Sequence, residues 1–555
     1  MVNKVLVIGL DSAPLELIDP WVKEGKLPVL GRLMAQGAAG VLRSTIPPLS
    51  PAAWSSFATG TNPGKHGVFD HAFRKSDSYE IVPTNAQRRA GKTLWKIIGD
   101  YGGKVGVINL PETYPPEAVN GFLITGMSTP SDDAGFCFPA TLAKELDQAI
   151  GGYKVFGPRS KEDLEKALGG MRETAIMRLK AAAYLMKKYD PQFMALVLQE
   201  TDTVQHRFWK FMDPDHPHFD AEGARRFGTA ILEVYQCIDE HLHWLLEQVD
   251  EDTVVIVMSD HGAGAIYKWL YLNNWLLHEK FIQFKRSLLV RFKQAVYRLG
   301  YTPGNILELA MRLRLGIADQ TIKRVKKSSA TRNFLYRLFL SFEDVDWSRT
   351  KAYTLGGNMT GIYINLRGRE PNGVVQPGAQ YESLREEIIK RLARLYDEET
   401  GVQVVTRIYK REELYSGPYL ERAPDIIFET HDERYVGYGG QEFTANVVMA
   451  PSRLFNGCHR KDGMVVLKGG PILPGTRMEP HDIVDLAPTI LYLLGYPVPD
   501  NMDGNVMVDA LVSGYLEDHP VEFMESDWEA ALDDTGFSSE EETIIAERLK
   551  GLGYL

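Results

Sequence analysis

The chain has 555 residues, 24% of them charged and 44% apolar, with 50 Gly and 30 Pro. This is the make-up of an ordinary globular protein, and it excludes disordered and collagen-like chains. Three cysteines (Cys137, Cys237, Cys458), none paired at metal-finger spacing, exclude a disulfide scaffold and fit a reducing compartment, and a net charge of −11 argues against a general nucleic-acid binder.

The first residues, MVNKVLVIGLDSAP, lack a long apolar run with a small-residue cleavage site. They read as a buried strand, Lys4–Leu10, and not as an export signal. Short apolar, β-branched segments follow at Lys104–Asn109, Phe193–Gln199, Thr253–Ser259 and Met464–Lys468, as expected of parallel strands covered on both faces. Helical periodicity falls between them. Lys161–Lys188 is one long stretch, with a potential break at Gly169–Gly170. Ala221–Val249 is another, apolar at Ile231, Val234, Ile238, Leu242 and Leu246, and Leu384–Leu395 is a third. Strands alternating with helices predict a doubly wound α/β fold, a mostly parallel sheet with helices on both faces. No run of about 18 apolar residues predicts a membrane-spanning helix.

Ala265–Ser341 breaks the rhythm. It is helical, aromatic and basic, and reads as an inserted helical cap with a turn at Thr302–Pro303–Gly304. Between Lys280 and Arg337, fourteen Lys and Arg stand against Glu308 and Asp319 alone. Such a block suits an anionic substrate or a membrane face, or is a set of solvated helix faces. The sheet pattern returns near Lys351–Asn365. The expected organisation is a core of residues 1–264 and 342–512, a basic helical cap at 265–341, and a tail at 513–555 that ends in a short surface-packed helix.

Ligands in open α/β sheets gather at the carboxyl ends of the strands. Asp11 follows the first strand. Asp202 and His206 follow Phe193–Gln199 in QETDTVQH, four residues apart and so on one face if helical. Asp260 and His261 follow Thr253–Ser259 in MSDHGAG, and His459 precedes Met464–Lys468. Taken singly, each has a structural reading as a strand-end or helix-cap residue. Together, three Asp and three His suit Zn²⁺ or Mn²⁺, and six ligands are too many for one tetrahedral ion, so two ions are expected. Ser50, followed by Pro51 and a helical run, is either a helix cap or a nucleophile poised at the positive end of a helix. Ser44, Thr45 and Ser55 are competing hydroxyls.

This ordered set resembles the alkaline phosphatase superfamily, in its type I phosphodiesterase/nucleotide pyrophosphatase branch. The resemblance runs through Val5–Asp11, Thr45–Asp70, Gln199–His206, Val254–Gly264, Lys351–Pro371 and His459–Gly504. It implies Ser50, nine residues before Thr59-Gly60, as the nucleophile of a covalent phospho-enzyme. It implies one divalent ion, zinc or manganese, on Asp11, Asp260, His261 and Ser50, and a second on Asp202, His206 and His459. Ala53 stands where the animal nucleotide pyrophosphatases lead on to a phosphate-contacting Asn, so that specificity is not implied. The run Ser50-Pro51-Ala52-Ala53-Trp54 does not fit a sulfatase. His66 receives no metal role, and His459 is preferred to His481 as the ligand. The expectation is a cytoplasmic hydrolase of small anionic phosphate esters, diesters or pyrophosphates first, with no nucleic-acid polymer as partner and a weak anionic-membrane contact through the cap. A phosphomonoesterase or phosphonate hydrolase, and a non-catalytic anionic-lipid or ligand-binding protein, are the alternatives.

Overall fold

In the computed structural model of the chain, residues 2–76, 78–157, 163–306, 338–356, 360–440, 443–452, 455–532 and 536–551 are described. Strand β1 (Lys4–Leu10) sets the architecture. Its side chains alternate between two apolar layers, Leu6, Ile8 and Leu10 in one and Val5 and Val7 in the other. A strand apolar on both sides has to lie inside a sheet that helices cover on both faces.

The sheet is built from β1, β2 (Ala38–Arg43), β3 (Val105–Leu110), β4 (Gly121–Thr125), β5 (Cys137–Phe138), β6 (Phe193–Leu198) and β7 (Thr253–Met258). Two further strands, β8 (Gly262–Ala265) and β9 (Gly457–Arg460), pair only with each other, and the sheet resumes with β10 (Asp462–Lys468), β11 (Thr476–Arg477) and β12 (His481–Asp482). The order is β11-β2-β10-β7-β1-β6-β3-β4-β5, with β12 also beside β2. The centre, β7-β1-β6-β3-β4, is parallel, so the carboxyl ends of β1, β6 and β7 share one edge. The doubly wound α/β expectation holds. Met464–Lys468 differs in direction, since β10 runs antiparallel to both β7 and β2. The chain reaches it from β9, beyond the carboxyl end of β7, and no long crossover intervenes to reverse it.

Helix α1 (Ser50–Thr59) is buried along its whole length, and α2 (Leu164–Tyr189) and α3 (Glu200–Met212) pack on the other face of the sheet. Helix α2 runs straight through Gly169–Gly170. Ala167, Leu168, Met171 and Ala175 are buried around the pair and outweigh the roughly 1 kcal/mol that a helix-interior glycine costs. The stretch Ala221–Val249 is divided instead, into Ala221–Phe227, Ala230–His241 and His243–Leu246. Leu384–Leu395 lies mostly within Ala379–Leu392. The tail helix, Ser539–Gly551, buries Ile545 and Leu549.

The chain leaves the core through β8 and returns through β9, with Ala265 paired to Gly457. Contrary to the sequence reading, the strands near Lys351–Asn365 do not rejoin the main sheet. Ala352–Tyr353 and Gly361–Ile364 join Val405–Lys410 and Ile426–Thr430 in a separate antiparallel sheet, built on its own core that includes Trp275, Phe281, Ile362, Ile388 and Phe428. Alternation of apolar residues shows that a strand has a buried face, but not which core that face joins. Of the cap expected at Ala265–Ser341, the helices Leu272–His278 and α4 (Leu288–Arg298) are described, and residues 307–337 lie outside the described residues. The turn expected at Thr302–Pro303–Gly304 is a helix start. Residues 303–306 are helical, and the Thr302 hydroxyl accepts from the Asn305 amide at 3.3 Å, with Pro303 in the first helical position. Among the described residues no helix is long and apolar enough to cross a membrane.

Candidate active site

The carboxyl ends of β6, β1 and β7 bring the expected acids together. Asp11 follows β1, Asp260 and His261 follow β7, and α3 leaves β6 at once, with Asp202 and His206 one turn apart. His459 arrives from β9, opposite Ala263 on β8. His206 Nε2 lies 3.1 Å from Asp202 Oδ1 and 3.2 Å from His459 Nε2, and His459 Nε2 lies 3.6 Å from Asp202 Oδ1. On the other side, His261 Nε2 lies 3.2 Å from Asp260 Oδ2 and 3.8 Å from Asp11 Oδ1. Ligand atoms of Asp202, His206 and His459 lie within 4.8 Å of one another, as do those of Asp11, Asp202 and His261. Asp202 therefore stands between the two groups.

Hydrogen bonds set the tautomers. His206 Nδ1 faces the Gly457 carbonyl at 2.7 Å, His459 Nδ1 that of Pro48 at 2.9 Å, and His261 Nδ1 that of Gly262 at 3.0 Å. A carbonyl only accepts, so each Nδ1 carries hydrogen and each Nε2 is turned to the cluster. Asp11 Oδ1 and Asp260 Oδ2 are buried with no hydrogen-bond donor among the described residues. Carboxylate oxygens and an imidazole lone pair held this close repel unless a cation or proton lies among them. The mixed oxygen and nitrogen donors fit divalent cations of the zinc or manganese kind.

The electrostatics register the same crowding. Burial, then the charges of Asp260 and Asp202, push the Asp11 carboxyl well above its usual range, and burial chiefly brings Asp260 to about 7. Burial also opposes ionisation of Asp202, but His206 and His459 beside it hold its pKa well below the ordinary value. Burial lowers His261 and His459, whereas at His206 the Asp202 charge overcomes burial and raises the pKa. Asp202 is the more exposed of the three acids, at 15% of its side chain, and marks the open side of the cluster.

Ser50 is the first residue of α1, whose N-cap is Leu49, and its hydroxyl caps nothing. It donates instead to His261 Nε2 at 3.1 Å. The helix-cap reading of Ser50 is thus replaced by a contact with the cluster. The competing hydroxyls are placed differently. Thr45 Oγ1 donates to the Pro47 carbonyl at 2.9 Å, and Ser55 lies in the interior of α1. His66 is structural. Its Nδ1 accepts from the Val68 amide at 3.2 Å and its Nε2 lies 3.0 Å from Ser56 Oγ, while burial and then Arg89 lower its pKa to about 3. His481 is paired with Asp509 at 2.7 Å, outside the cluster.

Three supporting features were not legible. Ser12 adopts φ 65°, which turns its amide to Asp260 Oδ1 at 3.2 Å, and the Thr201 hydroxyl donates to the Asp11 carbonyl at 2.6 Å. Such strain gathers where the surrounding structure over-determines a site. His71 is buried in the field of His459, Asp202 and His206, with its pKa lowered to about 3 mainly by burial. It closes NPGKHGVFDH, the segment that follows α1.

The doubly wound sheet gathers acid and imidazole side chains at its carboxyl edge, in groups that could hold divalent cations. Residues 5–447 match the family described as Type I phosphodiesterase / nucleotide pyrophosphatase, and the chain belongs to that family. The fold is similar to that of phosphonoacetate hydrolase from Sinorhizobium meliloti 1021. The structure with phosphonoformate has a TM-score of 0.51 at 16% identity, covering 89% of this chain and 96% of that one. The structure with phosphonoacetate has a TM-score of 0.52 at the same identity and coverage. No curated protein matches the chain significantly.

Proposed function

We propose that the chain hydrolyses phosphate esters, diesters or pyrophosphates first, with Ser50 as the nucleophile and two divalent cations bound by the cluster. The observation that carries this reading is the Ser50 hydroxyl at the N-terminus of α1, 3.1 Å from His261 Nε2 and beside three acids and three imidazoles. Asp11, Asp260 and His261 would hold one ion, with Ser50 Oγ as a further ligand, and Asp202, His206 and His459 the other. Zinc or manganese suits this donor set. Such a pair, when bound, lowers the pKa of a hydroxyl and neutralises the charge on the transferring group.

The chain's own part follows from its geometry. The positive end of α1 favours a phosphate next to Ser50. Ser50 Oγ gives up its proton and forms a bond to phosphorus as the ester oxygen leaves with its bonding pair and takes up one proton, so that none is gained or lost over the step. Water then attacks the phosphorus, and Oγ leaves and regains its proton. The Nδ1 bonds to Gly262, Gly457 and Pro48 keep the imidazoles in place through both steps.

A second reading, a phosphomonoesterase or phosphonate hydrolase, draws on Ala52, Ala53 and Trp54, which offer a phosphate oxygen no side-chain amide in the first turn of α1. The test is metal analysis followed by turnover on a bis-nitrophenyl diester, a nitrophenyl monoester and phosphonoacetate. About two ions per chain and a preference for the diester support the first reading. A preference for the monoester or phosphonate supports the second. No bound ion after supplementation with zinc and manganese overturns both and leaves a binding protein of the same fold.

A further inference from the structure

Large apolar side chains scattered singly over a surface are ordinary, but a cluster of them is not. Between residues 288 and 306, Leu288, Leu289, Phe292, Leu299, Tyr301 and Ile306 are all exposed, Leu288 by 83% and Leu299 by 74%. Helix α4 explains the pattern. Val290, Lys293 and Tyr297 form its inner face. Val290 and Tyr297 enter the core of the insert, and Lys293 Nζ donates to both oxygens of Asp344 at 3.0 and 2.9 Å. The remaining positions turn outward and carry Leu288, Leu289 and Phe292 among Arg291 and Arg298, with Arg286 just before the helix.

Charge selects what this face meets. Every charged residue from Lys285 to Ile306 is basic. Lys285 Nζ bonds the Glu343 carbonyl at 2.7 Å and Lys293 is taken by Asp344, while Arg286, Arg291 and Arg298 are exposed. A second copy of the chain would bring the same arginines against these, so self-association through this face is opposed. An anionic surface is attracted to it, and the overall charge of −11 repels such a surface from other sides, which makes the approach directional. An 11-residue helix is about 16 Å long, too short to span a bilayer but suited to lie in its interface with leucines and phenylalanine inward and arginines at the headgroups.

We propose that the outer face of α4 docks the protein reversibly on an anionic phospholipid bilayer. The inference does not depend on the catalytic reading. The full chain is sedimented with vesicles of phosphatidylserine and phosphatidylcholine, one part to two, and with pure phosphatidylcholine. The wild type should pellet with the anionic vesicles at low salt, be released at high salt, and stay in solution with the neutral ones. Replacing Arg286, Arg291 and Arg298 together by Gln should reduce anionic partitioning on the order of 100-fold. Replacing Leu288, Leu289 and Phe292 by Gln should abolish it, with an unchanged circular-dichroism spectrum as the control for folding. Wild type that remains in the supernatant, or either variant that binds as wild type does, overturns the proposal. So does a dimer in sedimentation velocity that the Leu/Phe variant cannot form when no lipid is bound, since a second copy would then be the occupant.

Discussion

Gly9 is where α1, the helix that begins at Ser50, rests on the sheet. A Cβ at this position would lie 2.6 Å from Trp54 Cη2 and 3.2 Å from Val197 Cγ2, whereas ordinary contact begins at 3.4 Å. In Gly9→Ala the indole therefore has to retreat by close to an ångström. It has nowhere to go, being fully buried and packed edge-on against Phe57 with ring centroids 5.6 Å apart. Overpacking of this kind costs about 1–3 kcal/mol. Trp54 lies one turn beyond Ser50, and Asp11 lies two residues beyond Gly9, so the same shift moves Ser50 away from the cluster. A misplacement of about 1 Å costs roughly 100-fold in rate. The assay is denaturant unfolding together with turnover of the preferred ester. Gly9→Ala should lose both stability and activity, and adding Trp54→Phe, a smaller ring, should restore more than the two single variants sum to. Gly9→Ala with wild-type stability and turnover would refute the claim that this contact positions Ser50.

Other consequences are as direct. Arg178 and Glu200, 2.5 Å apart and both buried, join α2 to the first residue of α3. Arg178→Met leaves the Glu200 carboxylate unpaired, which should cost about 3–5 kcal/mol in urea unfolding, and should weaken metal binding at Asp202 and His206 in calorimetric titration; an unchanged midpoint would show the pair to be dispensable. Glu112 is buried, and burial raises its pKa from 4.5 to about 8. The fold then keeps a proton that the unfolded chain has lost, so stability falls as pH rises from 4.5 to 8 by up to about 1.4 kcal/mol per unit. Glu112→Gln should flatten that slope, and equal slopes would contradict the assignment. Chelation should lower the melting temperature, and zinc or manganese should restore it, a thousandfold excess over Kd adding about 4 kcal/mol of stability; a melting curve indifferent to both would argue against metal binding.

The acids of the site were legible because each follows a strand whose apolar run is unbroken. LVIGLD, MALVLQETD and VVIVMSD each place their aspartate at the same edge once the strands are parallel. Strand β2, AAGVLR, was not, since alanine and glycine carry little strand signal. Its small residues serve close packing, for a Cβ on Gly40 would lie 3.0 Å from Met478 Cβ. His459 was found through its neighbour β10, although it sits on β9, a four-residue strand too polar to be read alone. The extent of the insert was missed because its strands alternate as core strands do. The place of Asp202 between the two ligand groups, and the turning of three Nδ1 atoms to carbonyls, depend on three-dimensional neighbours that no spacing in the chain encodes.

The central claim is that Ser50 carries the phosphoryl group. Metal-loaded wild type and Ser50→Ala are mixed with a phosphorus-labelled ester, quenched during turnover with acid, digested and mapped. The wild type should retain label on the peptide that contains Ser50, and the variant should retain none and lose several orders of magnitude in rate. Equal turnover in the two proteins, or label on another residue, would contradict the account.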